Sequence, residues 1–479
     1  MKPLGIKKLA EVIKAQIIPD STKTVRRGAT RRGEGRSRSR TASQRVSSVS
    51  IDSREVCRGG VFFAVKGANH DGHDFVNQAF ENGAACAVIH KEITLETDRP
   101  VLLVGDTIEA LGELARYVRG GSACKVIAVT GSVGKTTTKN ILHHVLSGKF
   151  KCFAAPKSYN NNIGVPLTVF DAPDNCEFII AELGSNHPGE IEQLTRIIQP
   201  DIALITTICP AHLEGFGSIE GIIKEKVSIT VGLRQGGKLF INGDKKELVD
   251  YCKSSRLNFT TFGTTENCEV QAKDIELSGD RSIFFIEDVM VNLPLAGRAN
   301  VENAAAAWAV CKYLGISAAQ FAGSIAGIRP VGMRLEVIEL GSMTVLNDCY
   351  NANPGSMENA LQTLSLLAEQ RSKRPVFIFG RMGELGAESQ RLHAELGRRI
   401  AHYKIPLVLT TQGDSAVAAQ TADKSADFHI CVKVFENVSE LADNLHKFIQ
   451  PDDIILVKAS RSERFEVVVD KLKKLFTGK

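Results

Sequence analysis

The sequence predicts an α/β protein of three domains. Three observations predict it. The chain has 479 residues, a length that corresponds to about three domains. Apolar runs alternate with amphipathic stretches over residues 126–242 and again over 345–459, the grammar of largely parallel sheets. A glycine-bracketed turn, Thr130-Gly131-Ser132-Val133-Gly134-Lys135-Thr136-Thr137, joins the first central strand to a helix.

The elements follow in chain order. Residues 6–18 carry a short helical pattern, and 46–51, 60–65, 85–89 and 101–104 read as strands. They make a small α/β domain over 1–106. Strands at 126–130, 178–183, 202–207 and 238–242, with an alanine-rich helix around 303–313, make a central domain over 107–329. Functional groups are expected at the carboxyl ends of these strands. Strands at 345–350, 375–380, 406–411 and 454–459 make a third, smaller α/β domain of Rossmann-like character over 330–479.

Composition narrows the class. With 43% hydrophobic and 24% charged residues, the chain has the balance of a soluble globular protein. No apolar run approaches the ~20 residues of a membrane helix, so no membrane insertion is expected. The first residues lack the apolar core of a signal peptide. Eleven scattered cysteines without a C-x-x-C pair point to free thiols in a reducing cytoplasm. The net charge of +5 is local in origin. Residues 23–45 carry nine Lys/Arg and one Glu, leaving −3 for the rest (+5 less +8). The body of the protein is therefore not a basic nucleic-acid binder, and no nucleic-acid partner is expected for it. The basic segment has almost nothing to bury and reads as a disordered or exposed, solvated insertion, the alternative being an arm that touches RNA or an anionic lipid surface.

The candidate chemistry sits at strand ends. The turn points the N–H groups of Gly131, Ser132, Val133 and Gly134 toward one spot, which suits a polyphosphate. It is a shortened phosphate loop, with Val129 where the first glycine of the usual spacing would stand. Lys135 can reach the outer phosphates and the Thr136 hydroxyl can ligate Mg²⁺, with Thr137 beside it. Glu182 ends an apolar strand and is either a second Mg²⁺ ligand or a capping carboxylate. His212 lies in the loop after the strand 202–207. Lys226 lies on a helix with Lys224 and Glu225, where spacing alone reads as a solvated face. The run Asn160-Asn161-Asn162 before Ile163-Gly164 is a turn or a substrate-contacting loop. In the third region Asp348 could hold a ribose or a lysine, and Tyr350 could stack on a base. Gly380–Gly386 and Lys458–Arg461 are two further polar strand ends.

The motifs T-G-S-V-G-K-T, N-N-N-I-G-V-P, A-E-L-G-S-N-H-P-G-E-I, H-L-E-G-F-G-S, N-D-C-Y-N-A-N-P-G-S-M and G-R-M-G-E-L-G occur in this order. In that combination the chain resembles the Mur ligases, from about residue 46 to its end. The resemblance implies an ATP-dependent, ADP-forming amide ligase. Its implied substrates are a UDP-N-acetylmuramoyl-tripeptide and D-alanyl-D-alanine, joined through an acyl phosphate. It further implies that Asp52, Ser53, Arg54, Gly72 and His73 hold the UDP moiety, and that Asn161 and Asn162 contact substrate. Thr136 and Glu182 would ligate one Mg²⁺ and His212 a second. Lys226 would be carbamylated. Asn303, Arg334, Asp348 and Tyr350 would complete the ATP site. Nothing in the chain demands an oligomer, so a monomer is expected. Ala299, Arg381 and Ala459 stand where the family commonly has His, Asp and Gly. A sibling ligase, a folylpolyglutamate-synthetase-like ligase and a nucleotide-gated binding protein are the competing readings.

Overall fold

The computed structural model describes residues 1–18, 45–67, 69–95 and 99–477. The basic segment lies outside the described residues except for Arg45, which pairs with Gly5 in a two-stranded antiparallel ladder. Three larger sheets account for the three regions read in the sequence.

The first region is a five-stranded sheet. Val49–Ser50, Val61–Phe63, Cys86–Ile89 and Val101–Leu103 are parallel neighbours in that order. Its far edge corrects one expectation. Residues 6–18 are not one helix. The helix Ile6–Val12 ends, Lys14 adopts φ 54°, and Gln16–Ile18 turns back as a strand antiparallel to Val101–Leu103. A left-handed residue cannot continue the helical ladder, and the β-branched pair Ile17-Ile18 suits a strand.

The central region is a nine-stranded sheet. From one edge its parallel part runs Cys152–Ala154, Phe178–Glu182, Lys125–Thr130, Ile202–Ile205, Lys238–Asn242 and Thr260–Gly263. Both faces are covered, as a parallel sheet requires. Val126, Ala128, Ile179 and Ala203 enter one apolar cluster, whereas Ile127, Val129, Ile180 and Leu204 enter the other. The period-2 alternation of side chains thus feeds two cores at once. Register decides what stands beside the phosphate loop: Ala181 pairs with Ala128 and Glu182 with Val129. The strand Val270–Ser278 and the antiparallel strands Arg281–Ile286 and Val289–Leu293 extend this sheet.

At the opposite end of the strands, fully buried Arg119 fastens the sheet to its covering helices. Its guanidinium donates to the carbonyls of Ile198, Cys124 and Gln199 and to the Asp201 carboxylate, at 2.7–3.0 Å. Asp201 also accepts the Val126 N–H.

The third region is a six-stranded sheet in the order Glu336–Leu340, Met343–Asn347, Ile454–Lys458, Pro375–Phe379, Leu407–Thr411 and Cys431–Phe435. Only the first pair is antiparallel. All eleven cysteines are free thiols. No described helix is long and apolar enough to cross a membrane.

Candidate functional site

The phosphate loop is shaped by its own close contacts. The Ser132 N–H donates to the Thr207 carbonyl, and Thr206 Oγ1 donates to the carbonyl of Val133. Gly134 caps the helix Lys135–Leu146 with φ 89°. A Cβ there would lie 2.1 Å from Asn303 Oδ1, so both the backbone angle and the space require glycine. Lys135 Nζ folds onto the Gly131 carbonyl at 2.8 Å and the Ser132 carbonyl at 3.4 Å. Burial pushes its ammonium pKa down, and Glu182 opposes that shift.

Thr136 and Glu182 meet as the sheet register requires. Thr136 Oγ1 donates to Glu182 Oε2 at 2.7 Å, and both residues are buried. The other carboxylate oxygen of Glu182 accepts from Asn160 Nδ2 at 2.8 Å. The asparagine run is thereby resolved. Asn161 Oδ1 accepts the N–H groups of Ile163 and Gly164 and caps a helix start, while the neighbour that sequence reasoning passed over orients Glu182. All three asparagines line the cavity described below. Buried Lys139 donates to the carbonyls of Ala155 and Lys157, tying down the chain that leads to Asn160.

The third region reaches this cluster directly. Arg334 Nη2 donates to Thr136 Oγ1 at 3.0 Å, and its guanidinium carbon lies 3.8 Å above the centre of the Tyr350 ring. The partner of Tyr350 here is thus a guanidinium. Asp348 holds a lysine: Lys458 Nζ donates to its Oδ2 at 2.6 Å and to the Asn351 carbonyl at 2.9 Å, while Leu335 N–H donates to Oδ1. Lys458 went unassigned in the sequence reading, although it ends a strand there. Asn303 accepts from Thr138 Oγ1 and donates to Asn300.

The structure corrects the spacing-based reading of Lys226 and gives His212 a partner that the sequence did not show. Lys226 is not on a solvated face. It is 1% exposed, its Nζ donates to Ser185 Oγ at 2.8 Å, and it lies 5.3 Å from the centre of the Phe216 ring. Burial, reinforced by the charge of Lys135, brings its pKa down to about 7. His212, at φ 53°, turns its Nδ1 onto the Glu384 carboxylate from the G-R-M-G-E-L-G loop. That ion pair holds the Glu384 carboxyl below its usual range. Around it the Glu214 N–H donates to the Glu384 carbonyl, and Leu213 packs on the apolar core of the third region. In a second contact between the central and third regions, Gln370 pairs with the Gly279 N–H and the Leu277 carbonyl at 2.9 and 3.0 Å. A Cβ at Gly279 would meet Leu367 Cδ1 at 1.9 Å.

Most of these groups border one cavity of about 680 Å³ between the central and third regions; Lys226, Glu384, Gln370 and Gly279 are not among its lining residues. Lys135, Thr136, Glu182, His212, Asn303, Arg334, Asp348 and Tyr350 all line it. The residues predicted in the first region do not. Asp52 and Arg54 form an exposed ion pair at 2.6 Å, which lowers the Asp52 pKa to about 2. Ser53 Oγ donates to Gln78. His73 is buried between Asp71 Oδ1 at 2.6 Å and the His90 N–H. Since Nε2 accepts that N–H, the proton lies on Nδ1, so His73 fastens its loop and offers no free nitrogen. Gly72 packs against the Val65 backbone.

The three regions match three family models in turn: "Mur ligase family, catalytic domain" over residues 45–119, "Mur ligase middle domain" over 129–311, and "Mur ligase, glutamate ligase domain" over 333–461. The chain belongs to the Mur ligase family. It is 35% identical to the UDP-N-acetylmuramoyl-tripeptide–D-alanyl-D-alanine ligase of Bacillus subtilis over 433 residues, 89% of this chain and 93% of that one. It is 34% identical to the Escherichia coli enzyme of the same name, over 88% and 93% of the two chains. Its fold is similar to a crystal structure of MurF from Acinetobacter baumannii, with a TM-score of 0.85, 29% identity and 99% of both chains covered. A MurF ligase from Thermotoga maritima in complex with ADP aligns with a TM-score of 0.80 and 28% identity, over 90% of this chain and 98% of that one.

Within the family, the three departures have plain surroundings. The Ala299 N–H donates to Asn359 Oδ1 of the third region. Arg381 faces Glu463 at 3.5 Å. Ala459 is buried beside Gly380. None touches Thr136 or Glu182.

Proposed function

We propose that this protein is an ATP-dependent, ADP-forming ligase. It joins D-alanyl-D-alanine to UDP-N-acetylmuramoyl-tripeptide, a step in making the peptidoglycan precursor in the cytoplasm. The observation that carries the reading is the convergence of the phosphate loop, Glu182 and Arg334 of another region on a single cavity.

A carboxylate is a poor electrophile, so the peptide's terminal carboxylate first takes the terminal phosphoryl group of ATP. Two anions must then lie side by side. The loop N–H groups, Lys135 and Arg334 supply the opposing charge and stabilise the transferring phosphoryl group. Lys135 has only loop carbonyls to release before it can pair with outer phosphates. The Thr136 hydroxyl and the Glu182 carboxylate fit Mg²⁺, which takes oxygen ligands and keeps most of its shell for water and phosphate. Mg²⁺ supplies charge neutralisation at the phosphates. Asn160 holds Glu182 in orientation for it, and His212 stands ready on the cavity wall. The amine of D-alanyl-D-alanine attacks the acyl carbon and phosphate leaves. Closer approach of the two lobes over the cavity would exclude the water that hydrolyses an acyl phosphate.

Carbamylation of Lys226 requires a neutral amine, and a pKa near 7 leaves about half the amine neutral at pH 7. That shift, in an amine whose one hydrogen-bond contact among the described residues is the Ser185 hydroxyl, favours modification at Nζ. Residues 1–106, 107–329 and 330–479 are read as the three domains. In the first, the exposed Asp52–Arg54 pair would face the UDP, with Ser53 buried between them on Gln78, and Gly72 and His73 shape the loop beside it.

The test is phosphate release from purified protein with ATP, Mg²⁺ and UDP-N-acetylmuramoyl-tripeptide. Release is expected to depend on D-alanyl-D-alanine and to vanish in Lys135→Ala and Glu182→Ala. Release that ignores the dipeptide, or normal turnover in either variant, refutes the assignment.

A further inference from the structure

Glu225 stands next to Lys226 on the helix Ile219–Val227 and is 4% exposed. A buried carboxylate on a helix flank needs partners, and this one has two from another element. Its Oε2 accepts the Gly189 N–H at 2.7 Å and its Oε1 accepts the Ile191 N–H at 2.8 Å. Those two donors open the helix Glu190–Ile198, whose N-cap is Gly189 at φ 88°. A glycine has no side chain to satisfy the free N–H groups of a helix start. Glu225 supplies the missing acceptor from a different helix.

The segment it holds is a wall of the cavity. Ser185, Asn186, Glu190, Gln193 and Leu194 all line it. The same segment is tied a second time, because Lys226 Nζ donates to Ser185 Oγ at 2.8 Å. Two consecutive side chains thus grip residues 185–191 at both ends. Between the grips, Glu190 Oε2 accepts the N–H groups of Asn186 and His187, tying the loop to the start of the same helix.

We propose that Glu225 is a positioning residue for the peptide substrate: it fixes the 185–191 wall so that the acid end of the peptide meets the phosphate loop. The proposal rests on the function given above. Glu225 touches neither the phosphate loop nor Arg334, so nucleotide binding is independent of it.

The experiment has two arms. Hydrogen exchange of the substrate-free protein reads the tether itself. In Glu225→Ala the amides of Gly189 and Ile191 are expected to exchange at least tenfold faster, with Lys125–Thr130 unchanged. Steady-state kinetics read the consequence. The KM for UDP-N-acetylmuramoyl-tripeptide is expected to rise roughly tenfold, the order of one charged hydrogen bond lost, while the KM for ATP stays within about twofold. Glu225→Gln keeps one acceptor oxygen and is expected to fall between the two. Unchanged exchange in Glu225→Ala overturns the tether. Equal losses for both substrates, or an unchanged peptide KM, overturn the positioning role. Failure of the unaltered protein to turn over any muramoyl peptide would instead sink the proposed activity, and the exchange arm reports separately from it.

Discussion

Replacing Lys226 by Met should change how the stability of the protein depends on pH. The folded amine has a pKa of about 7, against 10.5 for an ordinary lysine, because burial at 1% exposure penalises its charged form. Below pH 7 both the folded and unfolded states carry the proton, and the penalty is constant. Between pH 7 and 10.5 the unfolded state binds more protons than the folded one, so unfolding free energy rises with pH. The slope is at most ~1.4 kcal/mol per pH unit, and the 3.5-unit window (10.5 less 7) spans about 5 kcal/mol. Lys226→Met has no such proton to lose. Denaturation by urea at pH 7, 8 and 9 in CO₂-depleted buffer measures the difference. The single tryptophan, Trp308, is buried in the central region and reports its unfolding. The unaltered protein should gain about 1 kcal/mol per unit over the variant between pH 8 and 9. Parallel profiles would mean that Lys226 stays protonated in its pocket, and the account of its environment would fail.

Gly134→Ala places a methyl 2.1 Å from Asn303 Oδ1 at a backbone angle of 89°, so nucleotide affinity measured by calorimetry should fall at least tenfold, ~1.4 kcal/mol. Arg119→Ala strips donors from three carbonyls and leaves Asp201 without its guanidinium. Loss of a buried ion pair of this kind should cost about 3–5 kcal/mol in chemical denaturation.

What could be read from the sequence was whatever depends on local order. The phosphate loop is contiguous, and the strand that ends in Glu182 announces itself by its unbroken apolar run. Parallel register then carries Glu182 beside the loop without further information. What could not be read depends on distant partners. Three adjacent asparagines look alike in sequence, and only the fold turns Asn160 onto Glu182 while Asn161 caps a helix. Glu225 and Lys226 resemble a solvated charge run because helical spacing says nothing about the loop packed above them. The strands Val270–Ser278, Arg281–Ile286 and Val289–Leu293 were missed because their half-polar pattern lacks the apolar density of the parallel core. His73 and its loop follow the same rule: the motif located the loop, and only tertiary contacts show that its imidazole is fully occupied.

Gly279 sits in the turn between the strands Val270–Ser278 and Arg281–Ile286 and offers nothing but hydrogen where Leu367 of the third region arrives. A single methyl there would act as a doorstop. Loop, carboxylate and guanidinium would each remain sound on its own side, yet the two halves would stand ajar and never assemble. Bond-making at the centre is in this sense hostage to a notch between the two regions that handles no reactant at all.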